Sequence, residues 1–285
     1  MNGTVPKMPA YFLAHGGGPM PLFNDPSHEG LIEHLRGLEA ALPHPPRALV
    51  VISAHWETAK PTVTSGQQPE LIYDYSSFPK EAYEVKYAAP GEPALAHRIV
   101  ELLRGTGIDA AEDSARGWDH GVFVPLKLAF PAAALPVVEL SVLSSLDPEA
   151  HVAIGEALAP LRDEGVLLLG SGLSFHNMSS FMRARKAESI GNVSQGIILL
   201  KGAAEKAKEF DAALAGVLTD PAHSREERRA ALVRWAELPE ARFAQPREEH
   251  LLPLHVVAGA AKCGVATADF SGDLMGVKVS AFKFA

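Results

Sequence analysis

The sequence contains almost no cysteine and no long hydrophobic run. Its one cysteine, Cys263, excludes an internal disulfide and is compatible with a reducing compartment. No apolar stretch approaches the roughly 20 residues that a transmembrane helix needs, and Met1–Pro9 lacks the apolar core of a signal peptide. We therefore expect a cytoplasmic protein.

Runs of lysine and arginine are also missing. The 26 basic residues are outnumbered by 34 acidic ones, so the formal net charge is -8. Nucleic acids and anionic membranes attract proteins through clustered basic side chains. We therefore expect neither a nucleic acid nor a membrane as the main partner.

Several common enzyme motifs are absent as well. There is no HExxH zinc motif, and the glycine-rich stretches match neither the Walker lysine pattern nor G-x-G-x-x-G. We therefore do not expect these stretches to bind a phosphate group.

Histidine, in contrast, is plentiful, and two of the 12 histidines end predicted strands. Leu49–Trp56 is a nearly continuous apolar run, typical of a strand buried on both faces, and it contains His55. The shorter run Tyr11–Ala14 is followed by His15. Ligands of open α/β sheets bind at the carboxyl ends of the strands. We therefore expect the two imidazoles to meet at one edge of a sheet.

Strand patterns alternate with helix patterns along the chain, which predicts an α/β fold. Apolar, β-branched runs predict further strands at Pro136–Leu143, at Val166–Leu169 and, as an edge strand, at Val277–Phe284. The strand–helix–strand order of residues 136–169 predicts parallel strands. We predict a single domain over residues 1–285, with a loose N-terminus over residues 1–8.

Caps and apolar periodicity predict the helices. Asp25 and Asp147 are each followed by proline, which is typical of a helix start. We expect His28 and His34, on the helix after Asp25, to be solvated or half-buried. Further helices are predicted over Glu92–Arg104, Val122–Phe130 and Val193–Leu218, from Ser224 onward, and over Arg247–Ala261.

A mononuclear metal site is the first functional hypothesis. The two strand-end histidines would supply imidazole nitrogens, which suit Zn, Cu, Fe or Ni. The third ligand would come from residues 247–255, which contain His250 and His255, with Glu248 and Glu249 as carboxylate alternatives. A catalytic site also keeps coordination positions open for substrate.

A serine esterase is the second hypothesis. His15–Gly18 reads HGGG, which forms an oxyanion hole in some esterases, and Gly172–His176 resembles the nucleophile elbow G-x-S-x-G. Its last position is His176 instead of the glycine that lets helix and strand approach closely. This difference disfavours the esterase.

Two more histidines, His120 and His176, lie in predicted turns between apolar elements. A histidine near a metal can act as a general acid or base, because imidazole titrates near neutral pH. The alternative is a histidine that bonds a backbone carbonyl to hold a turn. That alternative stays open for His120, whereas the glycines before His176 favour a functional role.

Five motifs together resemble those of the class III extradiol ring-cleavage dioxygenases of the LigB-like superfamily, and more narrowly the DOPA 4,5-dioxygenase branch. They are FLAHGGGPM (12–20), VVISAHW (50–56), GWDHG (117–121), GSGLSFHN (170–177) and EEHLLPL (248–254). The resemblance runs in order from about residue 10 to the end of the chain.

This resemblance implies a single α/β domain with a central mixed, mostly parallel β-sheet flanked by helices. It also implies an enzyme that cleaves the ring of a catechol with O₂, beside the two hydroxyls, to give a semialdehyde. It implies His15, His55 and His250 as metal ligands, His176 as the catalytic histidine, and His120 as a histidine that contacts substrate or oxygen. The wider class has a glutamate as third ligand, which keeps Glu249 as an alternative. We expect Fe(II) in the active enzyme, since Zn(II) is redox-inert, although the purified protein can carry zinc.

A non-catalytic role is the remaining alternative. A related fold, similar to the MEMO-type proteins, serves as a metal-binding interaction module. Such a module has no need of both His120 and His176, so we expect an enzyme.

Overall fold

The computed structural model describes residues 6–190 and 193–285, and these residues form one eight-stranded sheet with helices packed against it. The strands are β1 Ala10–Ala14, β2 Ala48–Thr58, β3 Thr62–Thr64, β4 Ala111–Asp113, β5 Val137–Leu143, β6 Val166–Gly172, β7 Ala266–Leu274 and β8 Val277–Phe284. Their order across the sheet is β4-β3-β5-β2-β6-β1-β8-β7.

The centre of the sheet is parallel and its edges are mixed. β5, β2, β6 and β1 run parallel to one another, as do β3 and β4. β3 is antiparallel to β5, and β8 is antiparallel to both β1 and β7. Four of the seven strand pairs are thus parallel, and the predicted α/β fold with a mixed, mostly parallel sheet is confirmed.

Within the described residues the α-helices are α1 Glu29–Gly37, α2 Pro93–Gly105, α3 His120–Ala129, α4 Pro148–Leu158, α5 Pro160–Asp163, α6 Met178–Ser189, α7 Val193–Thr219, α8 Arg225–Val233, α9 Ala241–Ala244 and α10 Leu252–Ala260. Asp147 caps α4 as predicted, and Ser224 forms a complete capping box with Glu227 at the start of α8. Among the described residues, no helix combines the length and apolar composition that a bilayer crossing requires.

The core lies on both faces of the parallel strands, because every residue of β1, β5 and β6 is buried. Helix α10 covers β6 and β1 on one side and packs against α4. A Cβ atom on Gly155 or Gly259 would overlap the backbone of the facing helix. These two glycines therefore allow the backbones of α4 and α10 to approach closely.

The structure differs from the prediction at the last strands. β8 is not an edge strand, because β7 lies outside it. β7 reads ATADFSGDL and is largely exposed or half-buried, so it lacks the apolar alternation that predicts a strand. β5 and β6 are parallel as predicted, but they are not neighbours, because β2 lies between them.

Two other predicted details need correction. His28 is not solvated or half-buried but fully buried, with Nε2 accepting the Gly17 N–H at 3.0 Å and Nδ1 lying 2.9 Å from Oδ1 of Asp25. Residues 1–5 lie outside the described residues. Met8 is fully buried and its N–H donates to the Arg162 carbonyl, so the loose N-terminus predicted over residues 1–8 does not reach Met8.

Candidate metal centre

Three histidines from distant parts of the chain meet at the carboxyl edge of the sheet. His15 directly follows β1, His55 lies near the end of β2, and His250 comes two residues before α10. Ligand nitrogens of the three rings all lie within 4.8 Å of one another, and the ring centroids are 4.9 to 5.2 Å apart. The rings therefore form a nearly equilateral triangle, which we call the histidine triangle.

The end of β6 holds two corners of this triangle together. The His15 N–H donates to the Gly172 carbonyl, and the Leu173 N–H donates to the His250 carbonyl at 3.0 Å. A Cβ atom on Gly172 would overlap that same carbonyl oxygen. Only glycine at this position lets the chain before α10 lie so close to β6.

Each ring of the triangle has its Nδ1 next to a side-chain oxygen. The pairs are His15 with Ser171 at 3.1 Å, His250 with Glu249 at 3.1 Å and His55 with Asp74 at 3.6 Å. Such partners orient a metal-binding imidazole and set its tautomer. The Nε2 atoms of His15 and His55 are 3.3 Å apart and point into the triangle.

The electrostatics keep these imidazoles neutral, which is the form that binds metals. Burial, followed by repulsion from the neighbouring histidines, lowers the pKa of His15 well below its usual value. Burial likewise lowers the pKa of His250 well below its usual value and that of His55 to about 4. A neutral, nitrogen-rich donor set of this kind fits a first-row transition metal ion.

The four candidates for the third ligand differ in their contacts. His255 is fully buried on α10, and its two ring nitrogens lie 2.9 and 3.2 Å from backbone carbonyl oxygens. Glu248 forms a bidentate pair with Arg242. Of the four candidates in residues 247–255, it is His250 that groups with the other two corners of the triangle.

His120 and His176 flank the triangle. The His120 ring centroid is 3.9 Å from that of His55, and the His176 ring stacks on His250 with centroids 3.4 Å apart. His120 lies at the first residue of α3, not in a turn as predicted, whereas His176 lies in the loop between β6 and α6. All five predicted histidines therefore line one site.

Asp74 also belongs to this site, although no sequence pattern predicted it. Its Oδ1 accepts the His120 backbone N–H at 2.9 Å and lies 2.8 Å from Nδ1 of the same residue. Burial acts to raise the Asp74 pKa, but the hydrogen bonds and charge of His120 outweigh it and lower the pKa overall. Asp74 stands between Tyr73 and Tyr75 in an irregular stretch. The only feature of the sequence that could have indicated a role for Asp74 is that its side chain is a carboxylate.

The esterase hypothesis is wrong. Ser174 is buried, and its Oγ accepts the Ser280 N–H at 2.9 Å and contacts Asp211, so it cannot attack a substrate. In the HGGG loop, the Gly17 N–H is already donated to His28. The two parts of a serine esterase site are therefore both engaged in structural bonds.

Comparison with known proteins identifies the family. Residues 8–280 match the family described as the catalytic LigB subunit of aromatic ring-opening dioxygenase. The chain belongs to this family. As a LigB-family enzyme it is an oxygenase that opens aromatic rings, which decides against the non-catalytic alternative.

Relatives of this LigB-family enzyme are similar over most of their length. "Dioxygenase tasH" of Hapsidospora irregularis is 38% identical over 95% of this chain and 83% of its own. "4,5-DOPA dioxygenase extradiol" of Beta vulgaris is 38% identical over 88% of this chain and 86% of its own. The crystal structure of an uncharacterized protein from Escherichia coli K12 superposes with a TM-score of 0.70, at 28% identity, over 98% of this chain and 100% of that one.

Proposed function

We propose that this LigB-family enzyme cleaves a catechol ring in the extradiol manner, with O₂ as cosubstrate and a semialdehyde acid as product. The observation that carries the proposal is the histidine triangle with one further histidine on each side. Relatives named 4,5-DOPA dioxygenase extradiol, from Beta vulgaris and Portulaca grandiflora, support a DOPA-like or related catechol as substrate.

We assign His15, His55 and His250 as the metal ligands. Their converging nitrogens, their lowered pKa values and the side-chain oxygens next to their Nδ1 atoms support this assignment. We propose Fe(II) as the working metal, with zinc as a substitute that purified protein can carry. When bound by these three histidines, Fe(II) would supply the redox chemistry that O₂ requires, which zinc does not offer.

His176 is the proposed acid–base group. Its Nδ1 lies 3.3 Å from Oε1 of Glu249, so the carboxylate holds the ring and leaves Nε2 for the substrate. Its side chain is 22% exposed, in contrast to the fully buried His15, so a substrate can reach it. His176 would take a proton from a catechol hydroxyl and return one to the opened product.

His120 is the proposed hydrogen-bond partner of the substrate or of oxygen. Since Nδ1 faces the Asp74 carboxylate, Nδ1 carries a proton in this arrangement. Nε2 is then the nitrogen left for a ligand, and the rigid start of α3 sets its direction. We also propose a cytoplasmic location, because the single, unpaired Cys263 is compatible with a reducing compartment.

Oxygen uptake by the Fe(II)-reconstituted protein tests the reaction class. The panel would contain DOPA, caffeate, protocatechuate and a simple alkyl catechol, with resorcinol as a control whose hydroxyls are not adjacent. We expect uptake with at least one catechol, matched by a new visible absorption from the semialdehyde, and none with resorcinol. No uptake across the panel by iron-loaded protein would overturn the proposal.

A further inference from the structure

A carboxyl group is buried on β5 without a hydrogen-bond donor. Glu139 is fully buried in the central part of the sheet, and among the described residues neither of its carboxylate oxygens has a hydrogen-bond partner. An ionised carboxylate in such a place costs several kcal/mol unless it is paired and hydrogen-bonded. The sequence, VVELSVL, gives no structural reason for an acid at this point of an apolar strand.

Two charged groups face Glu139. Nη2 of Arg116 lies 3.5 Å from its Oε1 and 2.9 Å from Oδ2 of Asp119. Asp119, also fully buried, therefore shares this guanidinium with Glu139. One guanidinium thus faces two carboxyl groups, and the cluster would carry an uncompensated negative charge if both were ionised.

The hydrogen bonds decide which of the two acids keeps its proton. Asp119 accepts the Ser53 hydroxyl at 2.7 Å and an N–H of Arg116 at 2.9 Å, so its carboxyl oxygens already have two donors. Glu139 has no such donors. With a proton on Glu139, the cluster of Arg116, Asp119 and Glu139 would have no net charge. Glu139 could then donate a hydrogen bond to Asp119.

We propose that Glu139 is a neutral carboxylic acid that donates a hydrogen bond to Asp119, and that this buried acid pair is a positioning unit for the active-site edge of the sheet. The assignment agrees with the direction of the Glu139 pKa, which burial and the Asp119 charge raise well above its usual value.

Asp119 connects this pair to both sides of the site. Ser53, which donates to Asp119, accepts the His55 N–H at 3.2 Å on β2. The Asp119 carbonyl accepts the N–H groups of Val122 and Phe123 in the first turn of α3, which begins at His120. Glu139 therefore acts through Asp119 on the elements that carry His55 and His120. Only the roles of those two histidines rest on the proposed function.

Infrared spectroscopy of the wild-type enzyme and of Glu139→Gln tests the protonation state directly. We expect a protonated-carboxyl C=O band at pH 7.5 that shifts in D₂O and is missing in Glu139→Gln. Asp211 is another buried acid with a raised pKa, so the band must be identified in the difference spectrum. Glu112→Gln, at the sheet edge, is the control that must keep the band. If this band is absent from the difference between the wild-type and Glu139→Gln spectra, the proposal is wrong.

Activity of the iron-loaded enzyme tests the positioning role. Glu139→Gln retains a donor to Asp119, so its kcat should stay within about twofold of the wild type. Glu139→Met has similar length and no donor, and small displacements of the site should lower its kcat by about tenfold or more. Equal losses in the two variants would contradict the role, provided that their melting temperatures show folded protein. If no variant cleaves a catechol, the proposed function fails, while the infrared result still decides the state of Glu139.

Discussion

His176 and His250 stack nearly face to face, with ring centroids 3.4 Å apart and an angle of 18° between the rings. Oε1 of Glu249 lies 3.3 Å from Nδ1 of one ring and 3.1 Å from Nδ1 of the other. Burial acts to raise the Glu249 pKa, but hydrogen bonds to both rings outweigh it and lower the pKa strongly. One carboxylate therefore orients a proposed metal ligand and the proposed acid–base group together.

The first prediction separates the metal ligand from its supporting carboxylate. His250→Ala should abolish stoichiometric Fe(II) binding, because it removes one corner of the histidine triangle. Glu249→Gln should still bind Fe(II), with an affinity lower by about 10- to 100-fold, as expected for loss of an orienting partner. Anaerobic Fe(II) titration followed by metal analysis measures both.

Glu248→Gln is the matched control for this pair, because Glu248 is adjacent in sequence and bonds Arg242 instead of a histidine. Its Fe(II) affinity should equal that of the wild type. If Glu249→Gln lost iron completely while His250→Ala retained it, Glu249 would be the third ligand.

The second prediction concerns proton transfer. His176→Ala should retain Fe(II) and substrate binding, while kcat falls by roughly 10²- to 10⁴-fold, the usual contribution of a general acid or base. Fe(II) titration, anaerobic catechol binding and oxygen uptake measure the three quantities. His97→Ala, an exposed histidine on α2, should change none of them. Loss of iron from His176→Ala would mean that His176 is a ligand.

The third prediction concerns the loop that follows His15. His28 accepts the Gly17 N–H, so His28→Leu leaves that half-buried donor without its partner, at a cost of about 0.5–1.5 kcal/mol. The displaced loop should lower Fe(II) affinity by roughly tenfold, since about 1.4 kcal/mol suffices for that factor. His28→Gln offers an amide oxygen to Gly17 and should recover most of the affinity.

His34→Gln provides the control for this loop. His34 lies on α1, close in sequence to His28, but contacts Asp269 on β7. Its Fe(II) affinity should match that of the wild type. If His28→Leu also bound iron normally, the loop would be held by other contacts.

Sequence patterns predicted the strands, helices and site histidines whose positions depend on neighbouring residues in the chain. His15 and His55 could be expected at one sheet edge because each ends an apolar strand. Nothing local distinguishes Asp74, which lies between two tyrosines, or Ser171, which lies inside an apolar strand. Both act on histidines that are distant along the chain, and no periodicity encodes such a contact.

The wrong predictions about the fold have the same cause, since they concern contacts between residues that are distant along the chain. β7 is a strand because it pairs with β8, not because its own residues alternate. His28 was expected near solvent because a lone histidine on a helix usually lies there. Its burial follows from the glycine loop that folds over it, which the sequence of its own helix does not reveal.

The fourth prediction concerns pH and a histidine outside the site. His151 on α4 accepts the Leu143 N–H at Nε2, at 2.9 Å, so the folded protein holds it neutral. Burial lowers its pKa to about 4, against 6.5 in the unfolded chain. Its stabilising contribution is complete above pH 6.5 and is lost as the pH falls from 6.5 towards 4, by roughly 2 kcal/mol between pH 7.5 and 5.

Urea unfolding at pH 7.5 and pH 5 measures this contribution. His151→Gln keeps an acceptor for the Leu143 N–H but cannot gain a proton, so its free energy of unfolding should depend less on pH. His97→Gln should retain the wild-type dependence, because His97 is exposed. Equal pH dependence in wild type and His151→Gln would show that folding does not shift the His151 pKa.

The last prediction tests whether the close approach at Gly172 builds the metal site. A Cβ atom there would overlap the His250 carbonyl oxygen, so Gly172→Ala must push the chain before α10 away from β6. Because the Gly172 carbonyl also accepts the His15 N–H, two corners of the triangle should separate. We expect Fe(II) affinity to fall by at least tenfold, and the melting temperature to fall with it.

Gly202→Ala shows what the same change does without such contact. Gly202 lies in the middle of α7, and an added Cβ would meet no atom within 4 Å. Alanine favours a helix interior over glycine by about 1 kcal/mol, so this variant should melt higher and bind Fe(II) as the wild type does. If Gly172→Ala bound iron equally well, the chain before α10 would be able to yield without moving His250, and the triangle would not depend on that contact.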